Sequence, residues 1–125
     1  MAKKILIIDD ENDMRVYLST LFRKAGYQVD VAVNGEEGLE TARTTQPDLI
    51  TLDVLMPKKS GVKAYRELRT NSTTSSVPII ILTGLAQQED FFGDELGDVP
   101  KPNAIVEKPI DRDDFLKLAE EILST

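Results

Sequence analysis

Ile79-Ile80-Ile81-Leu82 is a run of four aliphatic residues without a polar member, and Ile5-Leu6-Ile7-Ile8 and Leu49-Ile50-Thr51-Leu52 repeat it with at most one hydroxyl. A strand with one wet face alternates apolar and polar residues; these runs do not, so each reads as a strand buried on both sides. Strands of that kind belong in a parallel sheet sandwiched between helices. The intervening sequence supplies the helices. Met14, Leu18, Leu21, Phe22 and Ala25 recur at helical spacing, with Asn12 as the expected cap and Gly26 where a left-handed terminator is wanted. Val29, Val31 and Val33 alternate with Asp30 and Ala32, which predicts a strand nearer the sheet edge. Asn34-Gly35 then turns the chain into a short helix through Leu39 and Ala42, weakened by Gly38.

Pro47-Asp48 ends that helix, and the third strand delivers Asp53 at its C-terminal end. After the loop Met56 to Gly61, Val62, Tyr65 and Leu68 mark another helix, and Thr70 to Ser76 reads as a polar loop too rich in Ser, Thr and Asn to hold a core. Pro78 opens the fourth strand, which ends in Thr83, and Ala104-Ile105-Val106 makes a last short strand ending at Lys108-Pro109. Asp111 caps a closing helix whose Phe115, Leu118, Ala119, Ile122 and Leu123 form one apolar stripe. Five strands alternating with helices, without an internal repeat or interdomain linker, predict one doubly wound α/β domain over residues 1–125.

Composition narrows the chemistry. With neither cysteine nor histidine, the chain cannot build disulfides, Cys/His zinc sites or histidine-assisted nucleophiles. Carboxylates, lysines and hydroxyls remain. A net charge of -7 repels phosphate backbones, which argues against direct nucleic-acid binding. After Met1-Ala2-Lys3-Lys4 only four apolar residues stand before Asp9, too few for a signal-peptide core or a membrane span, so a cytoplasmic protein without membrane insertion is expected.

In open parallel sheets the functional crevice lies beyond the C-terminal strand ends. Sorting polar residues by strand end puts Asp9 and Asp10 after strand one, Asp53 after strand three, Thr83 after strand four and Lys108 after strand five. Three carboxylates on one rim repel one another, and burial raises their pKa values unless a cation compensates. Mg2+, which takes oxygen ligands from one or two carboxylates together with waters and a phosphate oxygen, suits this set. A carboxylate can also attack phosphorus to form an aspartyl phosphate, with an ammonium and a hydroxyl engaging the phosphoryl oxygens. Taken singly, an Asp-Asp after a strand is more often a helix cap or solvated turn, Thr83 a strand-end hydroxyl and Lys108 a solvated charge. Their joint placement favours a site. Lys58-Lys59 reads as solvated loop, and Phe91-Phe92 as core or helix-face packing.

The acidic pair Asp9-Asp10, the segment Asp53-Val54-Leu55-Met56-Pro57 with Gly61 downstream, Thr83-Gly84 and Lys108-Pro109, in that order, resemble the receiver domain of two-component response regulators over essentially the whole chain. The resemblance implies a flavodoxin-like three-layer sandwich with strand order 2-1-3-4-5. It implies Asp53 as phosphoacceptor, Asp10 as main metal ligand with Asp9 assisting, and the Leu55 carbonyl as a backbone ligand. Thr83 would be the switch hydroxyl, Lys108 the phosphoryl contact, and the Lys108-Pro109 bond cis. A histidine kinase or phosphotransfer protein would be the donor and a downstream protein the target, with homodimerisation on activation left open.

Two departures stand out. The family often has an aromatic switch residue three positions before the lysine; here it is Ile105, which implies a changed readout. The stretch from Thr83 to Lys108 is also longer than usual and carries Gly93, Gly97, Pro100 and Pro102, predicting a helix confined to about Gln87 to Leu96 and then an irregular acidic loop. That loop reads as a tolerated insertion or a partner-specific surface. Leu55 and Leu85 occupy the rate-tuning positions the resemblance implies; neither can orient a water, which predicts slow self-dephosphorylation.

Two other functions use similar parts: a receiver-like docking module that works without phosphorylation, and a magnesium-dependent phosphatase with an aspartyl-phosphate intermediate. The complete acidic pocket argues against the first. The second would want Asp-x-Asp after strand one, whereas the candidate nucleophile follows strand three with Leu55 at that offset. The closing helix ends almost at Thr125, which leaves no room for an output domain, so a stand-alone receiver and the N-terminal part of a longer regulator are both expected forms.

Overall fold

In the computed structural model, which describes residues 2–53, 60–84 and 99–124, the elements run β1 (Lys4–Ile8), α1 (Asn12–Lys24), β2 (Gln28–Ala32), α2 (Gly35–Thr45), β3 (Leu49–Asp53), α3 (Ser60–Thr70), β4 (Ile79–Thr83), β5 (Ala104–Glu107) and α4 (Arg112–Leu123). The strands form one sheet in the order β2-β1-β3-β4-β5, every neighbouring pair parallel. The expected doubly wound topology is the observed one. Every residue of β3 and β4, and all of β1 after Lys4, is buried, which is why these strands lack alternation.

Side chains alternate between two cores, one on each face. Leu6, Ile8, Ile50, Leu52, Ile79 and Ile81 pack with Ala42 of α2 and Ala64, Tyr65 and Leu68 of α3. Ile5, Ile7, Leu49, Ile80 and Leu82 pack with Leu18, Leu21 and Phe22 of α1 and Phe115 and Ala119 of α4. The period of two in the strands therefore sorts each aliphatic run into two layers.

Local signals explain the helix ends. Gly26 takes a φ of 98°, its N–H donates to Arg23 O at 3.0 Å and Tyr27 N–H to Phe22 O at 3.1 Å. This paired closure is sealed by Tyr27 packing edge-on against Phe22, ring centroids 6.0 Å apart. Asn34 caps α2 by accepting from Glu37 N at 2.8 Å, and Asp111 caps α4 by accepting from Asp114 N at 3.0 Å.

Two expectations need correction. Asn12 is the first residue of α1, not its cap; Glu11 holds the cap position, and its side chain makes no capping bond. The reason lies upstream, where Asp9 Oδ1 already accepts the Glu11 N–H at 2.9 Å. The edge position expected for the second strand is the observed one: β2 ends the sheet, and Val31 and the following Val33 are both 40% exposed while Ala32 is buried. The polar loop after α3 also contributes to the interior: Thr74 is fully buried, its hydroxyl donating to Leu68 O at 2.6 Å.

A polar clamp closes the end of the sheet opposite the strand C-termini. Arg69, only 8% exposed, donates from Nε to Tyr65 Oη at 3.0 Å, from Nη1 to Ser75 O and Val77 O at 3.1 and 2.7 Å, and from Nη2 to Asn103 Oδ1 at 2.9 Å. Asn103 Oδ1 also accepts from Ile79 N at 3.0 Å, and the Tyr65 hydroxyl donates to Pro100 O. Burial raises the Tyr65 pKa, which keeps that donor protonated. The clamp thus ties α3 to the entries of β4 and β5. Among the described residues no helix is long and apolar enough to cross a membrane.

Candidate functional site

The C-terminal ends of β1, β3, β4 and β5 bring together the groups expected on that rim. One carboxylate oxygen from each of Asp9, Asp10, Glu11 and Asp53 lies within 4.8 Å of the others. Asp9 and Asp53 are fully buried at their strand ends, whereas Asp10 and Glu11 are exposed at the mouth. From the far side Lys108 Nζ reaches Asp53 Oδ2 at 3.1 Å. Thr83 is buried beside it on β4 with its hydroxyl donating to Gly84 O at 2.9 Å. The backbone sets this last pairing, because Lys108 N–H donates to Thr83 O at 2.8 Å and so fixes the two side chains on neighbouring strand ends. The Lys108-Pro109 bond is cis.

Asp9 is the electrostatic pressure point. Burial is the main cause that lifts its pKa from 3.8 to about 7; the Glu11 N–H and the Lys108 charge oppose the rise and the Asp53 charge adds to it. Its Oδ2 is buried and finds no hydrogen-bond donor among the described residues. A buried acceptor without a donor, among carboxylates that repel one another, fits a hard divalent cation: the donors are all oxygens, of the kind Mg2+ takes. The residues present therefore suit the metal that the fold implies.

Leu55 and Leu85, the predicted backbone ligand and rate-tuning positions, lie outside the described residues, as do Lys58-Lys59, Phe91-Phe92 and the helix expected within 87–96. Ile105 is half-buried in β5 and packs on the α2/α3 core. Glu11 joins the cluster without having been singled out in the sequence. The signal was available, since a third consecutive acid at a strand end falls on the same loop.

A doubly wound sheet with an acidic pocket, a lysine and a buried threonine at its C-terminal rim defines a class, and the sequence pattern of the response regulator receiver domain matches residues 5–120. The chain belongs to that family, a signalling domain of two-component systems. It is 34% identical to Protein Rrf1 of Nitratidesulfovibrio vulgaris, over all of this chain and 86% of that protein. It is also 34% identical to Protein PilH of Pseudomonas aeruginosa, over 97% of this chain and 98% of that one. Among solved structures, the receiver domain of the sensor histidine kinase PA1611 from Pseudomonas aeruginosa, with a magnesium ion coordinated in its active-site cleft, superposes with a TM-score of 0.83 at 25% identity, covering 100% of both chains.

Proposed function

We propose that this chain accepts a phosphoryl group on Asp53 from a histidine kinase or phosphotransfer protein, with Mg2+, and changes conformation to control binding of a downstream protein in the cytoplasm. The observation that carries this reading is the convergence on Asp53: an ammonium 3.1 Å from one of its oxygens and three further carboxylates within 4.8 Å. Asp9, Asp10 and Asp53, with the Leu55 carbonyl, would hold the metal. When bound, the cation supplies positive charge opposite the phosphoryl oxygens and offsets the repulsion among the carboxylates.

The step is a displacement at phosphorus. An Asp53 carboxylate oxygen forms the new bond while the bond from phosphorus to the donor's nitrogen or oxygen breaks, its electron pair leaving with the donor. Lys108 is placed to follow the charge as it moves from carboxylate to phosphoryl group. Thr83 can exchange its bond to Gly84 O for one to a phosphoryl oxygen, which is the first movement of the switch. With Ile105 in place of an aromatic, that movement is read out elsewhere than by a ring changing rotamer. Neither Leu55 nor Leu85 carries a group that can orient a water by hydrogen bonding, so hydrolysis is slow and Leu55→Asn loses phosphate faster.

The test is the intact mass after incubation with magnesium and a small acyl-phosphate donor, beside an Asp53→Asn variant and a chelator control. One phosphoryl adduct that needs both magnesium and Asp53 is expected. Steady release of phosphate without an adduct would favour a phosphatase. No adduct from the small donor or from several kinases would favour a docking module that works without phosphorylation.

A further inference from the structure

Asp9 has four polar atoms, and three are committed: its N–H donates to Ala32 O at 3.1 Å, its Oδ1 accepts from Glu11 N at 2.9 Å, and its carbonyl accepts from Arg15 Nη1 at 2.8 Å. The fourth, Oδ2, is buried without a donor among the described residues, and its carboxylate belongs to the acidic cluster. Arg15 stands in the first turn of α1, half-buried, with its own N–H donating to Glu11 O at 3.1 Å. Its other side-chain bond, Nη2 to Asn12 Oδ1 at 3.4 Å, is long. Four carboxylates lie in the adjoining loop and strand end, yet among the described residues no carboxylate is within ion-pairing distance of this guanidinium.

We propose that Arg15 is a positioning residue for the metal pocket, holding the Asp9–Asp10 peptide from behind so that both carboxylates face the cation while the guanidinium itself leaves every ligand oxygen free. A hydrogen bond from an ionised donor is short and directional, and a carbonyl fixed in this way fixes the plane of the peptide that carries Asp10. Lys108 and Arg15 thus divide two tasks. Lys108 pairs with the reacting carboxylate directly; Arg15 acts only through the backbone of Asp9.

This inference rests on the receiver reading, and the sign of one measurement separates it from simpler accounts. A positive charge beside a cation site repels the cation, so if Arg15 were a bystander charge its removal would tighten magnesium binding. As a positioning residue, its removal weakens binding, because loss of a group that orients a ligand typically costs about tenfold or more in metal affinity. The experiment is calorimetric titration of the metal-free protein with magnesium chloride for wild type, Arg15→Met and Arg15→Lys, with the melting temperature of each read without magnesium. The expected result is about tenfold weaker binding in Arg15→Met, recovery to within about threefold of wild type in Arg15→Lys, and metal-free melting temperatures close to wild type. Equal or tighter binding in Arg15→Met overturns the assignment. So does an Arg15→Met protein unfolded without magnesium, since Arg15 would then be holding the fold rather than the pocket. A wild-type protein that binds no magnesium overturns the receiver reading itself, an outcome distinct from the other two.

Discussion

Lys108 Nζ stands 3.1 Å from Asp53 Oδ2, the lysine side chain 17% exposed and the aspartate fully buried. The pair joins the end of β5 to the end of β3 across β4, and among the described residues Lys108 is the cation that ion-pairs with the pocket of four acids. Removing one partner of a buried pair leaves the other charge uncompensated, at a cost of about 3–5 kcal/mol when both are dry. Because the lysine retains some contact with water, Lys108→Met is expected to lose about 2–3 kcal/mol of stability in metal-free urea titrations at pH 8. Magnesium should restore part of that loss by taking over the charge compensation.

Asp9 predicts a pH dependence whose sign is unusual for a carboxylate. Its folded-state pKa, about 7, lies above the ordinary 3.8, so the folded protein holds a proton that the unfolded chain releases. The stability this contributes is fully present below the unfolded value and is lost as pH rises through about 7, at up to roughly 1.4 kcal/mol per pH unit. The metal-free melting temperature should therefore fall between pH 5.5 and 8, and Asp9→Asn should flatten that fall. A profile for Asp9→Asn as steep as wild type would place the effect on another group.

Gly38 is worth more to the fold than its helix propensity suggests. A Cβ there would lie 2.5 Å from Ile8 Cδ1 and 2.8 Å from Ile8 Cγ1, so α2 can approach β1 only because the side chain is missing. Alanine would gain about 1 kcal/mol of helix propensity, yet overpacking typically costs about 1–3 kcal/mol. Gly38→Ala should be destabilised by about 1 kcal/mol, and Ile8→Val, which removes the colliding Cδ1, should offset much of that in the double variant. Additive effects in the cycle would show that the two positions do not press on each other.

Much of this was legible in the sequence, and the gaps have physical causes. Asp53, Thr83 and Lys108 could be placed on one rim because parallel strands point their C-termini the same way, Asp53 and Thr83 directly follow aliphatic runs, and Lys108 follows one after Glu107. The capping of α1 was misread because Asp9 Oδ1 takes the N–H of Glu11, a contact across a bend that no propensity encodes. Tyr65 showed helical spacing, but the clamp was not legible: its hydroxyl meets Pro100 O 35 residues away, and Arg69 meets Asn103 34 residues away. The edge position of β2, by contrast, was legible in the alternation of Val29, Val31 and Val33 with Asp30 and Ala32.

The clamp at the other end of the sheet separates stability from chemistry. Arg69→Met removes donors from Ser75 O, Val77 O and Asn103 Oδ1 in a buried setting, and should cost about 2–4 kcal/mol by urea denaturation. Because it acts at the strand N-termini, the rate of Asp53 modification in the folded protein should stay within about twofold of wild type. A large drop in that rate with the fold intact would mean the two ends of the sheet are coupled.

The central claim is that Asp53, among four neighbouring acids, is the group that carries the phosphoryl. The most direct measurement is borohydride trapping after treatment with magnesium and an acyl-phosphate donor, followed by peptide mass mapping. An acyl phosphate is reduced to the alcohol while a free carboxylate is not, so the modified position is recorded as homoserine. The account predicts homoserine at position 53 alone, absent when magnesium is chelated. Homoserine at position 9 or 10 instead, 5-hydroxynorvaline at position 11, or an intact-mass adduct with Asp53 unmodified, would contradict it.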